Sequence, residues 1–187
     1  MRYTNHGWMP VWGVLAALAG LPLGSVAAEA TAAPATDVVT SAWQHHQVTF
    51  NYLGFTSLYT CSGLEGHVSQ ILLHLGARKD LKVSAYGCPG WDSVPSRTAW
   101  VRADFYTLAP APDAAGSDAI RAHWTPLEVT PLRPSFMGDG DCELIEEMKD
   151  VITQNFSLRD VEYRTRCVPN QLYLDSYAVK GQALRAV

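Results

Sequence analysis

Cys61-Ser62-Gly63-Leu64-Glu65-Gly66-His67-Val68-Ser69-Gln70-Ile71-Leu72-Leu73-His74-Leu75-Gly76, continuing through Leu81-Lys82-Val83-Ser84-Ala85-Tyr86-Gly87-Cys88, is the stretch that decides the fold. Leu64, Val68, Ile71, Leu72 and Leu75 recur at helical spacing, and Gly76 supplies the stop. Ser62 and Glu65 have the spacing of a capping box. Leu81, Val83 and Ala85 then alternate with Lys82 and Ser84, which is strand spacing running into Cys88. The same order returns between Cys142 and Cys167. Leu144, Ile145, Met148, Val151 and Ile152 make an apolar stripe, and Val161, Tyr163 and Thr165 alternate with charged residues. The cysteines of the first pair have 26 residues between them and those of the second pair 24. The repeat favours Cys61–Cys88 and Cys142–Cys167 over the other two pairings that four cysteines allow.

Bridged cysteines need an oxidising compartment, and the N-terminus offers a route to one. Met1–Met9 carries Arg2 and no acid, Val11–Leu23 is apolar apart from glycines and one proline, and Gly24–Ala30 is small. That is the layout of a secretory signal peptide over residues 1–28. The apolar run is too short, and too interrupted by Gly20 and Pro22, for the roughly 20 residues of a spanning helix. Residues 29–42, rich in Ala, Thr and Pro, read as a flexible leader, with order starting near Trp43 and a single domain over 43–187. The chain is therefore expected to be periplasmic or secreted, with no membrane segment after cleavage.

Removing residues 1–28 takes one basic residue and no acid, leaving 13 basic against 18 acidic residues. A net charge of −5 disfavours nucleic acid, and the chain lacks the polybasic patch that anionic lipid attracts.

Around the two repeats, Val48, Phe50 and Tyr52 alternate as a first strand, with a bulge or bend at Gly54. Ala99, Val101, Ala103 and Phe105 alternate with Trp100, Arg102, Asp104 and Tyr106, the clearest two-faced strand in the chain. Residues 120–130 form a further strand that can pair with it as a hairpin, demoted to an edge by Pro126, and a last strand spans about 172–180. The order β-α-β-β-β-α-β-β predicts an α+β fold with a mixed sheet and two helices on one face. That is a ferredoxin-like sandwich or a related pair of βαβ units. One tension accompanies it. If a third strand separates the parallel strands of a unit, they stand about 10 Å apart, whereas bridged Cα atoms lie roughly 4.4–6.8 Å apart.

Catalytic signatures are missing: there is no Gly-x-Ser-x-Gly, His-Glu-x-x-His, P-loop, Gly-x-Gly-x-x-Gly or Cys-x-x-Cys. The reading that follows is a binding module without a cofactor, its partner an unknown protein or small molecule of the cell envelope. Trp100, Arg102, Asp104 and Tyr106 form the candidate surface, two aromatics flanking polar groups on an open sheet face. A small hydrolase is the first alternative, with His67, His74, His123, Asp92 and Glu65 as the groups to bring together. A metal carrier using His45 and His46, placed just before the first strand, is the second. Asp139, Asp141 and Glu143 do not meet a calcium-loop pattern, and capping of the second helix by Asp139 or Asp141 accounts for them. Asn155-Phe156-Ser157 matches a glycosylation acceptor.

Overall fold

A computed structural model of the chain describes residues 38–89 and 94–187. The signal-like segment and most of the leader lie outside the described residues, as does Asp92. Six strands and three helices follow in the order β1 (Val38–Leu53), α1 (Cys61–Leu75), β2 (Lys82–Tyr86), β3 (Thr98–Pro110), β4 (Ile120–Val129), α2 (Cys142–Glu147), α3 (Lys149–Asn155), β5 (Leu158–Thr165) and β6 (Tyr177–Ala186).

The strands form one sheet in the order β2-β3-β1-β4-β6-β5, and every neighbouring pair is antiparallel. The expected mixed sheet is thus corrected to an antiparallel one. Within each unit the two strands that flank the helix do run parallel, but the third strand inserts between them: β3 between β1 and β2, and β6 between β4 and β5. The ferredoxin-like order, in which two βαβ units interleave, is not confirmed; each unit keeps its three strands together. The hairpin expected between β3 and β4 is replaced by β1, which pairs with both. That pairing rests on Val38–Ser41, so β1 begins five residues before Trp43. Beyond His123, β4 has only β6 beside it, which is the edge position that Pro126 tolerates.

The spacing tension is resolved by the helices. Cys61 belongs to the first turn of α1 and Cys88 lies just past β2, so the bridge joins a helix start to a strand end. Both pairings form as the repeat predicts, with Cα–Cα distances of 5.9 Å for Cys61–Cys88 and 5.5 Å for Cys142–Cys167.

The stripe of α1 is buried as its spacing requires. Its capping differs. The N-cap is Thr60, whose hydroxyl accepts Gly63 N–H at 3.1 Å, while Glu65 reaches β2 and accepts Ala85 N–H at 2.7 Å. Gly76 closes the helix in the left-handed region, φ 109°. The second helix is broken at Met148 (φ −81°, ψ 1°) into two pieces. Asp141 stands at the N-cap of α2 but makes no cap bond to it; its carboxylate accepts Gly138 N–H at 2.6 Å, closing the 3-10 turn Asp139–Asp141. The last strand starts later than expected. Asn170 and Asp175 adopt positive φ (61° and 56°), so the chain turns until Ser176, and Leu172 and Leu174 are left exposed.

One core joins both units. Ala99, Val101, Ala103 and Phe105 of β3 pack with the α1 stripe and with Leu144, Ile145, Met148, Val151 and Ile152 of α2 and α3. Leu127, Val129, Tyr177, Val179 and Ala183 complete it from β4 and β6. A smaller cluster of Leu108, Ala122 and Leu184, flanked by Val39, Trp43, Ile120 and Trp124, sits at the seam where β1 meets β4.

Candidate functional site

Alternation along β3 sends Ala99, Val101, Ala103 and Phe105 into the core and leaves Trp100, Arg102, Asp104 and Tyr106 on the face without helices. Trp100 is 51 % exposed and stands opposite Tyr86 of β2, itself 50 % exposed. Arg102 opposes Ser84 and is exposed. The other two members are engaged. Asp104 lies 2.9 Å from His45 Nε2 and accepts from Gln47 Nε2 at 3.4 Å. Hydrogen bonding from His45 leads the effects that hold the Asp104 carboxyl below its ordinary pKa. The Tyr106 ring is covered by the Arg78 guanidinium at 3.8 Å, and that guanidinium also lies 5.5 Å from the Trp43 ring.

Trp100 and Tyr106 are six residues apart on one extended strand, about 20 Å. One small molecule does not span that distance. The face therefore has two aromatic ends, Trp100 with Tyr86 and Tyr106 with Trp43, and a polar middle built from Arg102, Asp104, His45 and Gln47. Tyr86 and Trp43 are the members that sequence reasoning missed. The cross-strand register that brings them to β3 depends on pairings far apart in the chain.

Among the described residues, the histidines singled out by the sequence stand apart from one another or meet different partners. His45 and His46 lie inside β1, not before it, so they point to opposite faces and cannot share an ion. His45 meets Asp104, and His46 Nε2 lies 2.8 Å from Thr107 Oγ1. Burial, followed by the neighbouring His45, keeps the His46 pKa below its ordinary value. His67 and His74 share one side of α1, as their spacing implies, and both meet the edge of Phe136, at 5.9 and 6.3 Å between ring centroids. Their polar partners separate them. His67 Nε2 stands 3.1 Å from Asp141 Oδ1, off the line of a hydrogen bond, whereas His74 Nε2 meets the Glu128 carbonyl at 3.1 Å. Glu65 serves β2, and His123 sits in β4 opposite Arg185 of β6. Among the described residues, no three of His, Cys, Asp and Glu come together to hold a metal ion.

Asp141 and Glu143 are tie points between the two units. Glu143 is buried and accepts Phe55 N–H at 2.8 Å, Thr56 N–H at 2.9 Å and the Thr56 hydroxyl at 3.0 Å. Asp141 accepts the Tyr59 hydroxyl, and the Tyr59 ring stacks on His67 at 5.6 Å. Burial pushes the Asp141 pKa up, but the contacts from His67, Tyr59 and Gly138 N–H outweigh it and hold the carboxyl below its ordinary value. Capping alone does not describe these two side chains: each binds a segment more than 70 residues away. Asn155 Nδ2 donates to Val151 O at 3.0 Å, and Phe156 is buried against Phe105, so the glycosylation pattern falls on side chains engaged in packing.

Comparison with protein-family models, with curated proteins and with solved structures finds no match for this chain. Among the described residues no helix is long and apolar enough to cross a membrane.

Proposed function

We propose that this protein is an exported binding module of the cell envelope, periplasmic or secreted. Its uncovered sheet face over β2, β3 and β1 holds an elongated partner. The observation that carries the reading is the side-by-side exposure of Trp100 and Tyr86 on the face opposite the helices. Large aromatics in water carry an unmet hydrophobic gain, and their rigid rings lose little entropy when covered. Arg102 beside them offers a planar donor. Two disulfides, each closing a helix–strand loop, together with the signal-like residues 1–28, support export. The length of the face argues for a partner that lies along β3, a protein edge or a polymer, over a compact metabolite.

The test compares three proteins as baits in envelope extract: the oxidised wild type, the double variant Trp100→Ala/Tyr86→Ala, and Leu172→Ser/Leu174→Ser. The last pair is exposed elsewhere, at 66 % and 81 %. A partner retained by the wild type and by the leucine variant, and lost by the aromatic variant at unchanged Tm, is the expected result. Retention by all three rejects this face.

A further inference from the structure

At the C-terminal end of α1, where the helix meets β6, lies an open cavity of about 600 Å³ lined by Trp43, Leu73, Gly76, Ala77, Arg78, Lys79, Arg185 and Ala186. Its walls are apolar, its charges are all positive, and no carboxylate lines it. The three cations differ. Arg78 is neutralised by Asp80 through a paired contact, Nε to Oδ1 and Nη2 to Oδ2, both 2.7 Å, and so serves as a flat wall beside Trp43. Lys79 is exposed at the rim. Arg185 is half-buried and has no carboxylate within ion-pair reach among the described residues.

Arg185 donates through Nη2 to the His74 carbonyl in the last turn of α1, and its Nε is buried without a partner. Burial holds the guanidinium below its ordinary pKa. The end of a helix supplies about half a negative charge, so the structure offers Arg185 only part of a counter-ion. A cation kept out of water without a full partner is costly. Arg185 shares the lining of this cavity with the Trp43 indole and the Leu73 side chain.

We propose that this cavity binds a small organic carboxylate, its anionic group on Arg185 and Lys79 and its apolar body between Trp43 and Leu73. The volume falls in the range of ligand pockets, roughly 300–1,000 Å³. The cavity shares Trp43 and Arg78 with the Tyr106 end of the proposed face but contains neither Trp100 nor Tyr86, so the variants that test the two proposals are different.

The experiment titrates the oxidised full-length protein with 1-naphthoate, with its neutral analogue 1-naphthalenemethanol, and with acetate, by calorimetry and by amide NMR shifts. Saturable naphthoate binding, with shifts confined to Trp43, Leu73 and the 76–79 and 185–186 segments, is expected. The alcohol should bind at least about tenfold more weakly, the usual size of a charge-assisted contact, and acetate at least about tenfold more weakly for want of the buried apolar body. Lys79→Glu and Leu73→Glu change exposed side chains, leave the fold intact and should each weaken naphthoate by about tenfold or more. Arg185→Gln should do so too, and the two surface variants keep the test decisive if that change loosens the helix end. Naphthoate binding no tighter than the alcohol's, binding indifferent to Lys79→Glu and Leu73→Glu, shifts elsewhere, or no binding at millimolar concentration would each overturn the proposal.

Discussion

The two halves of the molecule repeat one plan and finish it differently. The first, β1-α1-β2-β3, has an unbroken helix capped at both ends and an outer face with Trp100 and Tyr86 uncovered. The second, β4-α2-α3-β5-β6, has a helix broken at Met148 and an outer face closed on itself. Arg159 lies 4.7 Å from the Trp124 ring and bonds Gln182, and Lys180 pairs with Glu128 at 3.4 Å. On the sheet face itself one half pairs Trp124, Arg159, Lys180 and Glu128, and the other leaves Trp100 and Tyr86 half exposed. The contrast teaches that the shared frame is about stability, and that a candidate surface is found where the repeat departs from itself.

Removing either disulfide should be the largest perturbation. The bridges span 27 and 25 residues of sequence separation, so Cys61→Ala/Cys88→Ala and Cys142→Ala/Cys167→Ala should each cost about 3–4 kcal/mol in denaturant unfolding. A large inequality between them would show that the halves do not share the frame equally. Next comes Glu143, the tie from the second half to the loop after β1. Glu143→Ala leaves two amides and a hydroxyl without their acceptor, and about 2–4 kcal/mol should be lost in the same assay.

The Asp141 tie adds a pH dependence of known sign. Its folded pKa lies below the ordinary carboxylate value, so its stabilisation is present above the unfolded pKa and is lost as pH falls through the folded one. Asp141→Asn should flatten the acid limb of the stability–pH profile, and an unchanged limb would reject the tie. Helix termination is a smaller lever. Gly76 sits at φ 109°, and Gly76→Ala should cost about 1–2 kcal/mol. Smallest of all, Trp100→Ala should move stability by no more than about 0.5 kcal/mol. A larger loss would mean the ring supports the fold and is not held in reserve for a partner.

What the sequence disclosed follows the range of the interactions. The stripe of α1 and the two faces of β3 are local patterns, and both stand as spaced. The cysteine pairing was legible because the chain states it twice. Strand order was not: Val38–Ser41 look like leader until β4 is placed beside them. Asp139, Asp141 and Glu143 read as helix-start acids, and only the approach of Tyr59, Phe55 and Thr56 gives Asp141 and Glu143 their work. Gly54 shows the same limit. It reads as a bend, but a side chain there would strike Ser57 O and the Tyr52 hydroxyl at 2.2 Å, a crowding set by the fold of the loop.

Peptide mapping without reductant, on protein recovered from the envelope fraction of its own cell, tests the central claim most directly. The duplicated frame in an oxidising compartment predicts two crosslinked peptides, Cys61 with Cys88 and Cys142 with Cys167, and no free thiol. Reduced cysteines, or crosslinks that join one half to the other, would contradict both the architecture and the export on which the functional proposal rests.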